Sequence, residues 1–146
     1  MKIEIDTLKC LKKYFRDERF RFNFIYIGTA ANLDTYDYLL ERKNGKYEFY
    51  STDRGKRNKL NEFDNEKDAC EFVYNELKDD LYGKSHCIKA TYSEERAKRL
   101  GQKLENENLK YHIGKTMDKK GWRYLVIVYG KDVRKAKFIK WFGRFK

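Results

Sequence analysis

With 146 residues, 40% apolar and 39% charged, the chain has room for one domain or two small subdomains, and at 16% aromatic it is too rich in rings to be disordered. No apolar run approaches the roughly eighteen residues of a membrane helix, and the opening MKIEIDTLKCLKKYF lacks the unbroken apolar stretch of a signal peptide, so a cytoplasmic protein without membrane contact is expected. The net charge of +11 is uneven: residues 1–82 hold sixteen Lys and Arg against seventeen Asp and Glu, and residues 83–146 hold eighteen against six. Such an excess in one half points to an acidic partner, with simple solubility as the bland alternative.

In chain order, Ile5, Leu8, Leu11 and Phe15 share one side of a predicted helix over 5–17, with Lys9, Lys12 and Lys13 mostly opposite. Residues 20–27, FRFNFIYI, alternate aromatic with polar and predict a strand ended by Gly28, its rings forming either a sheet's inner face or a platform for bases. Residues 29–36 form a loop that is a plausible partner-contacting edge. Tyr38–Arg42 and Tyr47–Tyr50 flank Asn44-Gly45, a pair that tolerates the positive φ of a two-residue hairpin turn. A polar turn over Thr52–Arg57 leads to a short strand, Lys59–Phe63. Asp64 or Asn65 then caps a helix whose apolar face is Ala69, Phe72, Val73, Leu77 and Leu81.

Tyr82-Gly83-Lys84-Ser85 marks a boundary at the charge shift, dividing the chain into 1–82 and 83–146. Beyond it, His86–Tyr92 predicts a strand, Ser93 caps a helix packing through Ala97, Leu100, Gly101 and Leu104, and Tyr111–Met117 predicts a second strand. Asp118–Gly121 is a hairpin turn into Trp122–Tyr129, and Asp132 opens a last helix with Val133, Ala136 and Ile139 inward. The expected fold is α+β: two small antiparallel sheet-and-helix halves, the second a βαββα unit of split βαβ, ferredoxin-like type.

Catalysis finds little support. Cys10, Cys70 and Cys87 are odd in number and never in C-x-x-C spacing, which argues against a disulfide framework or zinc site, and no metal or cofactor is expected. His86 and Cys87 are adjacent, so on a strand they face opposite ways. Asp53 and Asp64 are acid–base candidates by residue type, but a turn former and a helix cap by position. There is no glycine-rich phosphate loop and no nucleophile-bearing turn. The chain is expected not to be an enzyme.

In the second half, Ala97-x-x-Leu100-x-x-x-Leu104, Tyr111-x-Ile113, Trp122-x-Tyr124-x-Val126, Gly130 and Ala136 resemble the sporulation-related repeat domain, a glycan-binding fold, and the likeness lies mostly in core positions. In the first half, Tyr50-Ser51-x-x-Arg54-Gly55-x-Arg57, then Phe63 ahead of a capped helix with Ala69 and Phe72, is similar to small bacterial immunity proteins that neutralise polymorphic toxins, including the LXG-type toxins of Bacillus and its relatives. That resemblance implies a cognate toxin domain as partner, such as a nuclease, held by occlusion of its active site. Immunity proteins against nucleases are often acidic, so this basic chain implies an acidic toxin surface or binding away from the nuclease groove. The candidate contacts are Arg54 and Arg57, the basic hairpin Lys119, Lys120 and Arg123, and Trp122 or Tyr124 as aromatic anchor. The alternative is a protein binding RNA or single-stranded DNA through Lys131, Arg134, Lys135, Lys137, Lys140, Arg144 and Lys146, interleaved with Trp141, Phe142 and Phe145; under the immunity reading nucleic-acid binding is weak and non-specific.

Overall fold

The computed structural model describes residues 4–29 and 35–142. The expected contacts at Arg144, Phe145 and Lys146, the side chain of Phe142 and most of the 29–36 loop lie outside the described residues. The protein is α+β, and its contacts divide it into two compact units, Met1–Gly83 and Lys84–Lys146.

In the first unit, helix α1 spans Leu8–Asp17. It starts later than the periodicity predicts because Thr7 is in extended backbone and its hydroxyl accepts the Cys10 N–H, ending the helix there. Ile5 lies before the cap and is still buried. The predicted strand over 20–27 is corrected more strongly: strand β1 is only Ile25–Gly28. Residues 21–24 turn instead, with the Phe24 N–H donating to the Arg21 carbonyl. The Arg21 guanidinium pins this turn, donating to the Tyr82 carbonyl, Asn23 Oδ1 and Asp37 Oδ2. Phe20 and Phe24 therefore reach the core four residues apart, while Phe22, between them, is 91% exposed.

Strands β2 (Tyr38–Lys43), β3 (Lys46–Asp53) and β4 (Lys56–Phe63) follow, in sheet order β1-β2-β3-β4. Asn44 and Gly45, at φ of 53° and 76°, make the expected turn. The next turn is tighter than predicted: Arg54 and Gly55, at φ of 51° and 80°, form a second two-residue hairpin, so β4 begins at Lys56. The sheet is not wholly antiparallel, because β1 runs parallel to β2, Ile27 opposite Leu40. Helix α2 (Glu66–Leu77) is capped by Asn65. It ends four residues short of Leu81, which is exposed. Leu40, Tyr47 and Phe49 on one sheet face form a core with Ala69, Cys70, Val73 and Leu77 of α2 and with Leu11 and Phe15 of α1. Phe72 lies at the margin of that core, half-buried between Phe49 and Phe63.

The second unit runs β5 (Ser85–Thr91), α3 (Glu94–Asn106), β6 (Tyr111–Asp118), β7 (Gly121–Tyr129), α4 (Asp132–Phe142). The sheet order is β5-β7-β6, with β7 antiparallel to both neighbours. Strands β5 and β6 are thus parallel with β7 inserted between them, the split βαβ arrangement. Ser93 caps α3 by accepting the Arg96 N–H. Ala97, Leu100 and Leu104 pack with Val133 and Ala136 onto Val126 and Val128. No helix among the described residues is long and apolar enough to cross a membrane.

Candidate functional sites

The β6–β7 hairpin projects the largest exposed apolar groups of the second unit's sheet. Cross-strand pairing places Tyr111, Ile113, Lys115 and Met117 opposite Val128, Val126, Tyr124 and Trp122, all on one sheet face. Towards Val128 this face is buried under the helices; towards the turn it emerges, so that Met117 is 59% and Trp122 45% exposed. Lys115 Nζ stands 4.5 Å from the Trp122 ring centre, a cation–π contact. Arg123, one residue on, pairs with Thr116 and points to the opposite face. Lys119 and Lys120 are exposed at the tip. Of the expected contacts, Trp122 and Tyr124 share a face, Arg123 takes the other, and the two lysines lie between.

The base of this turn is stiff. Asp118 Oδ1 accepts the Lys120 N–H at 2.8 Å and Asp118 Oδ2 accepts the Tyr92 hydroxyl at 2.6 Å. The Tyr92 hydrogen bond, then the Lys120 amide, holds the Asp118 carboxyl below its usual range. The Tyr124 hydroxyl donates to Glu94 Oε2, tying the emerging strand to the first turn of α3.

Arg54 and Arg57 belong to the β3–β4 hairpin of the first unit. Arg54 is exposed in the turn, whereas Arg57 is engaged: its Nη1 lies 2.6 Å from Glu41 Oε1, and Glu41 is a buried carboxylate at 8% exposure. Glu41 starts a feature the sequence reading missed. Glu41, Glu48 and Glu62 are in direct register across β2, β3 and β4. Like charges so opposed repel, and cations offset this: Arg57 on Glu41, Lys59 between Glu48 and Glu62 at 3.6 and 3.2 Å, and Lys46 at 4.0 Å from Glu62. The Tyr50 hydroxyl also donates to Glu48, which lowers the glutamate and pushes the tyrosine up to about 12. The row is a neutralised lattice rather than a poised acid–base pair. Its signal was legible: the Asn44-Gly45 turn fixes residue 41 opposite 48.

A second missed feature is a cleft of about 360 Å³ in the second unit, lined by Lys89 of β5, Arg96, Arg99, Leu100 and Lys103 of α3, and Lys140 of α4. Positions 96, 99 and 103 recur at helical spacing beside the packing face, which places their side chains on one stripe. Among the described residues no carboxylate lines the cleft. Arg99 Nη2 bonds Glu95 at 2.8 Å from outside the cleft, and Lys140 Nζ donates to the Ile88 carbonyl at 2.6 Å. The next stripe of α3 is balanced instead, through Glu94–Lys98 and Glu95–Arg99.

Among the described residues no group of three His, Cys, Asp or Glu could hold a metal ion. Burial pushes the Cys70 thiol up to about 12, an inert state for a nucleophile. Cys87 and His86 pair with Ile127 and Val128 respectively and so face opposite ways. No protein-family model, curated protein or solved structure matches the chain.

Proposed function

We propose that the protein is a non-catalytic binding protein of the cytoplasm, an immunity partner that occludes the active site of a toxin domain, with the β6–β7 hairpin as its principal contact. The observation that carries this reading is the exposed Met117–Trp122 pair framed by Lys115, Lys119 and Lys120. Binding energy at protein interfaces concentrates in Trp, Tyr and Arg, and Met is enriched there with them. A Trp held by a cation and a cross-strand neighbour loses little rotamer freedom on docking, which favours affinity. The excess of cations in this unit steers an acidic partner and raises the association rate. In the first unit, the similarity of Tyr50–Arg57 to immunity proteins adds Arg54 as a further contact, with Arg57 acting mainly through Glu41.

Co-expression with the product of the neighbouring gene tests this reading: if that product is a toxin, growth should be rescued, a one-to-one complex should purify, and Trp122→Ala should weaken both; a neighbour with no toxicity or no complex would contradict it.

One observation favours a second reading. On α4, Phe138 and Trp141 are 61% and 62% exposed among Lys135, Lys137 and Lys140, a pattern suited to stacking bases along a phosphate backbone. Affinity for single strands that survives physiological salt and depends on Trp141 would favour it.

A further inference from the structure

We infer that the outer edge of β6 binds an extended acidic peptide segment of a partner protein, which joins the second unit's sheet as a fourth strand. The contact is made through backbone and goes beyond the immunity reading, since it holds for any partner that offers such a segment.

Each of the two sheets has two edge strands, and three of the four are closed to a further strand. Strand β1 is only four residues long. Strand β4 is broken by a bulge that leaves Leu60 out of register, carries Lys56, Arg57 and Lys59, and has its Glu62 N–H taken by Asn61 Oδ1 at 2.8 Å. Strand β5 is bulged between Cys87 and Lys89, and Lys140 Nζ occupies the Ile88 carbonyl. Shortness, bulges and edge charges are the devices by which sheets avoid unwanted pairing.

Strand β6 is long and regular. It pairs with β7 in unbroken register over all eight residues, and from Lys115 to Asp118 it is exposed. Asp118 and Gly121 flank a two-residue turn and so form a hydrogen-bonded pair. Alternation from there points the N–H and C=O groups of Ile113, Lys115 and Met117 away from β7. Among the described residues no other backbone group bonds to this edge. An extended chain laid beside it completes those hydrogen bonds, the mode of recognition known as strand addition.

The side chains set the chemistry of the segment. Ile113, Lys115 and Met117 share one face, and Lys115 Nζ is held there 4.5 Å from the centre of the Trp122 ring. A strand beside β6 places its own alternate residues opposite these three, so apolar, acidic, apolar is the complementary order. Lys119 and Lys120 carry the positive potential past the end of the strand. The one carboxylate of β6, Asp118, is already engaged by the Tyr92 hydroxyl and the Lys120 N–H. A second copy of the chain fits less well, because residues 83–146 hold eighteen Lys and Arg against six Asp and Glu and repel their like.

The test is a nuclear magnetic resonance titration of the isotope-labelled full chain with the peptide acetyl-Thr-Val-Thr-Glu-Thr-Val-Thr-amide, at about 0.15 M salt, where distant surface charge is largely screened. The probe carries no toxin, so its result is independent of the immunity reading. Saturable binding is expected, with hydrogen exchange at the Ile113, Lys115 and Met117 amides slowed at least tenfold. Methylating one alternate set of the peptide's backbone nitrogens should abolish binding, and methylating the other set should leave it. Lys115→Glu should weaken binding at least tenfold and transfer the preference to a peptide with Lys in place of Glu. Lys137→Glu, the same change of charge on α4, should change it less than threefold; both positions are exposed. Absence of saturable binding would overturn the assignment. So would equal losses from the two methylated peptides, protection gained on β4 or β5 instead of β6, or a β6 edge already protected in a dimer of the chain alone.

Discussion

Met117 and Trp122 oppose each other directly across the β6–β7 hairpin, where a folded core ordinarily hides such residues, yet both stand open to solvent. The sheet face that carries them is continuous with Ile113 and Val126, which the helices cover. The pair is therefore the uncovered end of a packed surface. Trp122→Ala should weaken partner binding roughly thirtyfold, as loss of an interface anchor of about 2 kcal/mol does. Its thermal midpoint should hardly move, because little core contact is lost; a large fall in the midpoint would make Trp122 a structural residue.

Under the proposed reading Lys119, Lys120 and Arg123, all exposed, should act on a partner over distance rather than by packing. Reversing all three charges should slow association and steepen its response to added salt, with dissociation almost unchanged. Stopped-flow measurement at low salt checks this, and an unaltered on-rate would remove the tip from the interface. Trp122→Ala should show the opposite division, with its effect in the off-rate.

The Glu41–Arg57 pair holds the carboxylate row together. Arg57→Ala leaves Glu41 largely desolvated without its cation and should cost about 1–3 kcal/mol in urea unfolding, scaled down from the cost of a fully buried pair because Arg57 remains 35% exposed. Glu41→Gln with Arg57→Ala should recover part of that loss. The neighbouring Glu48 is depressed from its ordinary 4.5, first by Tyr50 and then by Lys59. Its contribution is present above pH about 4.5 and fades as pH falls through the lower folded value. Tyr50→Phe should reduce the acid sensitivity of stability between those limits, and an unchanged profile would remove the hydrogen bond as its source.

Gly83 packs where no side chain fits. A Cβ there would come within 2.7–2.8 Å of three atoms of the Phe24 ring, which is fully buried. Gly83→Ala should therefore destabilise by about 1–3 kcal/mol, as overpacking does. Restored stability in Gly83→Ala with Phe24→Leu would identify the ring as the cause, and a neutral Gly83→Ala would contradict the packing.

These features differ in how far the sequence disclosed them. The Asn44-Gly45 hairpin, the Asn65 and Ser93 caps and the split βαβ order were legible, because each depends on local backbone preference or on residue period. The Arg54-Gly55 turn was blurred, since arginine at φ of 51° gives no warning of a positive-φ position. Phe20, Phe22 and Phe24 imitate a strand, but the Phe24 N–H bond to the Arg21 carbonyl and the Arg21 side-chain bonds to Tyr82, Asn23 and Asp37 hold a turn that leaves Phe22 exposed. The parallel pairing of β1 with β2 has no local signature. Phe72 has the right helical spacing for the core, but its depth depends on where Phe49 and Phe63 stand. Of the candidate contacts, Trp122 was legible as a strand aromatic, and its exposure was not. The cationic cleft needs α3, α4 and β5 brought together, which no spacing within one element reveals.

The proposed reading is tested most directly by binding between the purified chain and the product of the gene neighbouring its own, measured for the native protein and for Met117→Ala with Trp122→Ala. The account predicts a one-to-one complex with the native chain and at least a thirtyfold loss in the double variant, about 2 kcal/mol. Absence of a complex, or a complex that binds both proteins equally well, would contradict it.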